Sequence, residues 1–523
     1  MMRDRQYSID LLLSISLIIC LTRSVKAAPK LPKIGTWEKN YKSYWVGLKP
    51  DHASTATKED ERLFLKTFKL SIKDIFLPPA QFAVYEMKSE FLGLMGLVID
   101  TPASLETEDE IWNAVKIFNW RWTTFYMPCL FMREEGDSKL RGSLRPLGTT
   151  GPTLKRDFRS KFRRGTDSKD GQDKYIERRD NAPPDLVSLS KPPGISTEAT
   201  KGIFWQWKNA GNGVTVYVMD SGCDARHPEF KNTRITDWIF PGPQTLTEPR
   251  DDSALPEVQE FHGTPVTAKI VGEKTGVARD ATVVVVNMIA GNTRQGFGHD
   301  LFKAHDCLLR VHDHVKKNNP NGRAKCVINI SYTWVLLDAL RKVDYQWATT
   351  IRLYSRYIFA QLVDLGCYFT IASGNSGMLV EDELLLSHAA DPRLRDNMVV
   401  VGGHDSKLRN VYDYGDIVKI SVEAVDLILA RGYPMSVTPR YDEGLEASTW
   451  EIGRGTSFAS PVVAGLLATF ISLGLGDPVR LLYSFAKNSP YPDQAKIAFN
   501  GIYADQWPKS LRPEGYTRST KQP

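Results

Sequence analysis

Between residues 196 and 505, short apolar runs alternate with helix-length segments, and this rhythm constrains the fold more than any other feature of the chain. The runs fall near 214–219, 282–288, 326–331, 367–373 and 398–402. None alternates polar with apolar residues, so each must be covered on both faces. Segments near 298–317 and 344–365, and a third after Ser457, have helical length. Strands joined by helices imply crossover connections, and these give a parallel sheet layered between helices. A stretch of roughly 300 residues buries about three-quarters of its unfolded surface, enough for one such domain. The predicted class is α/β.

In open parallel sheets, ligands and catalytic groups gather at the C-terminal strand ends. Polar residues stand there in this chain. Val214-Thr-Val-Tyr-Val-Met-Asp220 ends on a carboxylate, and Phe369-Thr-Ile-Ala-Ser-Gly-Asn375 ends on an amide. His262 stands at the entrance to Val266–Val271, a short buried helix by its apolar content. Gly453-Arg-Gly-Thr-Ser457-Phe-Ala-Ser-Pro461 runs into the apolar stretch 462–471, a second buried helix. Alone, such a serine reads as an N-cap, Asp-Ser-Gly as a turn and His-Gly-Thr as a loop. Together, in the order Asp, His, Ser, they suit nucleophilic acyl transfer. A serine hydroxyl needs an adjacent base. An imidazole takes and returns the proton, and a buried carboxylate fixes its tautomer. A helix N-terminus and the Asn375 amide would hold developing negative charge. This chemistry requires no metal and no organic cofactor.

Over residues 181–505 these motifs resemble the subtilisin-like serine peptidases, proteinase K branch. Val216-Tyr-Val-Met-Asp220-Ser-Gly-Cys-Asp-Ala-Arg-His-Pro-Glu-Phe230 is similar to that branch's aspartate motif. His262-Gly-Thr264 resembles its histidine motif, Gly276-Val-Ala278 its downstream turn, Gly374-Asn375 its oxyanion asparagine and Gly455-Thr-Ser457-Phe-Ala-Ser-Pro461 its serine motif. The resemblance implies a parallel sheet covered by helices on both faces, preceded by a small α+β prodomain. It implies Ser457 as nucleophile, His262 as general base, Asp220 as its orienting partner and Asn375 as oxyanion donor. Substrate would lie along Ser331, Tyr332, Thr333 and Trp334, and beside Ser373 and Gly374. The chain departs from the pattern at Pro265, where the family carries a second histidine. It also departs at Ser331-Tyr-Thr-Trp334, where the family carries Ser-Leu-Gly-Gly, and glycine permits a closer backbone approach. Lys419 stands where the branch carries a calcium-binding aspartate, and a hard cation wants oxygen ligands; no metal site is expected there. Ala424-Val-Asp-Leu-Ile-Leu lacks the family's Pro-Gly.

The chain has 523 residues, 42% of them hydrophobic, and shows no internal repeat. Residues 1–27 read as a secretory signal, with Arg3 and Arg5, an apolar core at 11–21 and a Val25-Lys26-Ala27 cleavage pattern. That core is too short to span a bilayer, and no later stretch reads as a membrane span. Residues 42–132 alternate strand-like and helix-like runs and are similar to an inhibitory prodomain. Residues 155–179 hold ten Lys/Arg against five Asp/Glu. Residues 133–180 therefore read as a basic disordered linker, with dibasic pairs at Lys155-Arg156, Arg163-Arg164 and Arg178-Arg179. Asn181-Ala-Pro-Pro-Asp-Leu186 resembles the branch's mature amino terminus. The peptidase domain spans 181–507, and 508–523 reads as a disordered tail.

Without Cys20 and Cys129, four cysteines remain: Cys223, Cys307, Cys326 and Cys367. They permit two disulfides in three connectivities; buried thiols are the other reading. The sequon Asn329-Ile-Ser331 falls in a predicted buried strand and is expected to be unmodified. The net charge of +6 is modest for this length and calls for no nucleic-acid partner. The combined expectation is a secreted serine endopeptidase, a monomer without a membrane partner. It would be made as a proenzyme, act on protein or peptide substrates and be inhibited by its own prodomain. The alternative is a catalytically weak or inactive binding or regulatory protein on the same fold.

Overall fold

Strands with no polar face cannot border water, and the valine-rich runs are buried on both sides in the computed structural model. The structure describes residues 41–48, 58–59, 61–66, 83–102, 123–128, 145–146, 175–241, 261–288, 301–332, 345–380, 383–433, 449–513 and 516. Eight parallel strands form the central sheet: β1 (Thr215–Asp220), β2 (Arg234–Ile239), β3 (Thr282–Asn287), β4 (Cys326–Ile330), β5 (Cys367–Ala372), β6 (Met398–His404), β7 (Val418–Glu423) and β8 (Lys496–Ile497). Their order is β8-β7-β6-β5-β4-β1-β3-β2. Every neighbouring pair is parallel.

Alternation along each strand divides the core in two. Val216, Val218, Val283 and Val285 pack with helices α1 (Gly263–Val271) and α4 (Thr456–Leu473). Tyr217, Met219, Val284 and Val286 pack on the other face with α2 (Leu301–Asn318) and α3 (Tyr345–Asp364). The chain is therefore α/β, with helices on both faces of a parallel sheet. One described helix, α4, is long and apolar enough to cross a membrane, contrary to the sequence reading. Its side chains fill the core: among others Phe458, Val463, Leu467 and Phe470 are buried.

The N-terminal region forms a separate four-stranded antiparallel sheet in the order Ala83–Ser89, Gly93–Pro102, Tyr41–Leu48, Thr123–Pro128. It docks on the α2/α3 face. In the turn at 89–93, Ser89 Oγ accepts from Leu92 N–H at 2.9 Å and donates to Asp313 on α2 at 2.5 Å. Tyr354 on α3 donates to Met95 O at 3.1 Å. Met87, Leu92 and Met95 join the core of that face.

Several boundaries differ from expectation. Residues 176–180, assigned to the linker, form a strand antiparallel to Ile203–Trp207. Its Arg179 is buried; the guanidinium donates to Glu273 O at 3.0 Å and Gly276 O at 2.7 Å and lies over Phe204 at 4.8 Å. Arg145–Pro146, also in the expected linker, pairs with Trp450–Gly453. The tail is partly built in. Trp507 stacks on Trp205 at 5.0 Å, Arg512 Nε donates to Trp507 O at 2.7 Å, and Tyr516 packs on the same cluster. The signal at 1–27, residues 103–122 of the expected prodomain, the linker residues other than 145–146 and 175–180, and residues 514–515 and 517–523 lie outside the described residues.

Cys326 and Cys367 are register partners on β4 and β5 and form a disulfide. Cys223 and Cys307 are buried thiols. Asn329 is fully buried; its amide donates to Ser331 Oγ and accepts from the hydroxyls of Thr370 and Ser460. A glycan would need that side chain in solvent.

Candidate active site

The C-terminal strand ends bring the expected residues to one edge of the sheet. Asp220 closes β1 with its side chain fully buried. A buried carboxylate must be met by donors, and Asp220 Oδ1 accepts from Ser221 N–H at 2.7 Å. His262 Nδ1 lies 3.0 Å from Oδ1 and 3.1 Å from Oδ2. Against an ionised carboxylate Nδ1 carries the proton, which leaves Nε2 as an acceptor. The His262 side chain is 19% exposed, so the pair is reached from solvent only through the imidazole.

Close packing fixes that histidine. A Cβ on Gly263 would fall 1.9 Å from Gly222 O, so only glycine lets the helix start touch the aspartate loop. Gly263 N–H donates to Ser221 Oγ at 2.9 Å, and Asp224 N–H donates to Thr264 Oγ1 at 2.8 Å. Pro265 stands in the first turn of α1, where a helix has no internal partner for an N–H.

Ser457 is the second residue of α4. The ring of its neighbour Phe458 lies 5.2 Å from the His262 ring, so the start of α4 adjoins the histidine. Pro461 has no N–H for the carbonyl four residues back, which is Ser457 O. Ser331 fills the vacancy, donating its hydroxyl to Ser457 O at 2.8 Å. Asn375, past the end of β5, is oriented from the same helix. Its Oδ1 accepts from Thr456 N–H at 2.9 Å, which commits the oxygen and leaves Nδ2 as the donor end of the amide. Gly374 N–H donates to Thr456 Oγ1 at 3.1 Å. Gly455 has a φ of 139° and brings its α-carbon against the Asn375 amide, where an added Cβ would lie 3.4 Å from Nδ2.

The Asp220–His262 pair thus adjoins the start of α4, the helix that carries Ser457 and orients Asn375. The residues expected to line the substrate differ. Ser331 spends its hydroxyl on the Ser457 carbonyl, and buried Ser373 donates to Asp413 O at 3.2 Å. Both side chains are buried and turned inward. Tyr332 turns toward the carboxylate: its hydroxyl lies 3.4 Å from Asp220 Oδ1 and its ring 5.2 Å from the His262 ring. Thr333 and Trp334 lie outside the described residues. Lys419 is exposed; it offers an ammonium where a cation would need an oxygen, so the residues there do not fit calcium. Thr456, Thr264 and Ser221 lie inside the quoted motifs but were given no role of their own. Their signal was present, since each carries a hydroxyl within two residues of a candidate site residue.

The sequence profile of the subtilase family matches residues 211–475, just over half of the chain. Subtilisin-like protease 6 of Trichophyton verrucosum is 25% identical over 322 residues, covering 60% of this chain and 65% of that protein. Subtilisin-like protease 7 of Arthroderma gypseum is 27% identical over 301 residues, covering 57% and 61%. The matched stretch spans less than two thirds of either relative. Among solved structures, fervidolysin from Fervidobacterium pennivorans, a keratinolytic enzyme related to subtilisin, superposes with a TM-score of 0.50 at 14% identity, covering 92% of this chain and 64% of that one. That likeness concerns the fold. With the matched profile enclosing Asp220, His262, Asn375 and Ser457, the chain belongs to the subtilase family.

Proposed function

We propose that the protein is an exported serine endopeptidase made as a precursor, with Ser457, His262, Asp220 and Asn375 as its machinery. The observation that carries this reading is the convergence of the buried Asp220–His262 pair with the start of α4 and the oriented Asn375 amide. In the proposed reaction Ser457 Oγ attacks the carbonyl carbon of a peptide bond while His262 Nε2 takes its proton. Asp220 holds the imidazolium through Nδ1. The oxyanion is met by Ser457 N–H, in the first turn of a helix, and by Asn375 Nδ2. As the C–N bond breaks, His262 passes the proton to the leaving amine. Water activated by the same imidazole then hydrolyses the acyl ester and regenerates Ser457. The N-terminal antiparallel sheet, docked on α2 and α3, supports the reading of that unit as an inhibitory prodomain.

A fluorophosphonate probe with mass spectrometry of the labelled peptide tests the reading. Ser457 should carry the label. Ser457→Ala should abolish labelling and lower turnover on the order of 10⁶-fold while the fold persists. An unlabelled wild-type protein that binds peptides without cleaving them would instead be a binding protein on this fold.

A further inference from the structure

Tyr332 follows β4 at a place where the family pattern carries leucine, a side chain with no polar atom. Its hydroxyl lies 3.4 Å from Asp220 Oδ1, and its ring is tilted 48° against the His262 imidazole at a centroid distance of 5.2 Å. His262 is held on another side by Phe458, at 5.2 Å and 39°. The imidazole therefore sits between two aromatic rings, and one of them also reaches the carboxylate. The preceding residue, Ser331, ties the Ser457 carbonyl. Two consecutive residues at the end of one strand thus contact all three candidate triad members.

We propose that Tyr332 is a positioning residue of the triad and not a wall of the substrate cleft. A phenol is a donor at neutral pH, and Asp220 has acceptor capacity beyond Ser221 N–H and His262 Nδ1–H. The phenol O–H supplies a further donor to the buried carboxylate. It restrains the carboxylate against rotation, and the ring restrains the tilt of the imidazole. The proposal rests on the peptidase reading of the same site.

The test compares wild type, Tyr332→Phe and Tyr332→Leu in three measurements. These are the rate at which a small fluorophosphonate labels Ser457, kcat and KM on one peptide, and the cleavage profile over a peptide library. The probe leaves the peptide subsites empty, so its rate reports activation of the serine. Tyr332→Phe keeps the ring and its packing, and a thermal melt checks the fold. Loss of one hydrogen bond should lower both the labelling rate and kcat about three- to tenfold. KM and the library profile should not change. Tyr332→Leu should lose more of both rates, because the ring contact goes as well. Unchanged labelling and kcat in Tyr332→Phe, or an altered library profile with a shifted KM, would overturn the positioning role. Failure of the wild-type protein to label would overturn the peptidase reading and this proposal with it.

Discussion

Single atoms at the strand ends decide what this site can do. Asn375 is held through its oxygen by Thr456 N–H, and in the proposed reaction its amide nitrogen would meet the oxyanion already oriented. Asn375→Ala should therefore leave KM nearly unchanged and lower kcat by roughly 10²–10³-fold, about 3–4 kcal/mol. Steady-state kinetics on a short peptide read this directly, and an unaltered kcat would remove Asn375 from the oxyanion site. The positions of Asp220, His262 and Ser457 were legible in the sequence because each closes an apolar run or opens a helix, and such positions gather at one edge of a parallel sheet. The contacts of Ser331 and Tyr332 were not legible. Past the end of a strand the two-residue alternation lapses, and the direction of a side chain is set by neighbours far along the chain. Ser331 turns inward because Pro461, 130 residues later, leaves a carbonyl without its helical donor.

At the scale of elements, the interior strands β1, β3, β4, β5 and β6 were predicted within a few residues, while β7, next to the edge, and both edge strands β2 and β8 were missed. Edge strands need not be apolar on both faces. Arg234–Ile239 has mostly exposed or half-buried side chains. Ile176–Asp180 reads Ile-Glu-Arg-Arg-Asp, and its composition matches a linker. What makes it a strand is Arg179, whose guanidinium caps two carbonyls just beyond α1, the helix that begins at His262. Asp185, a few residues on, reaches α1 again through a buried pair with Lys269 at 2.7 Å. Arg179→Ala should lower the unfolding free energy by about 2–4 kcal/mol, since it strands two carbonyls and removes a packed cation. Arg178→Ala should stay within about 0.5 kcal/mol, because Arg178 pairs only with Asp180 near the surface. Denaturant melts of the two variants separate these outcomes.

The molecule as a whole consists of an N-terminal antiparallel sheet seated on one helical face of a larger parallel-sheet domain, with the candidate site at the C-terminal strand ends. The Cys326–Cys367 bond sits at the other end of β4 and β5, where those strands begin. The two residues are 41 apart in sequence. Closing a loop of that length removes unfolded-chain freedom worth about 3–4 kcal/mol. A Cys326→Ala, Cys367→Ala variant should lose about 3–4 kcal/mol of unfolding free energy in denaturant melts and melt at a lower temperature. Its activity per folded molecule, measured by active-site titration, should match the wild type, because Ser331 and Asn375 lie at the far ends of the tied strands. The thiol–disulfide balance of the surroundings would then govern how long each molecule survives and leave untouched how fast it works while it does.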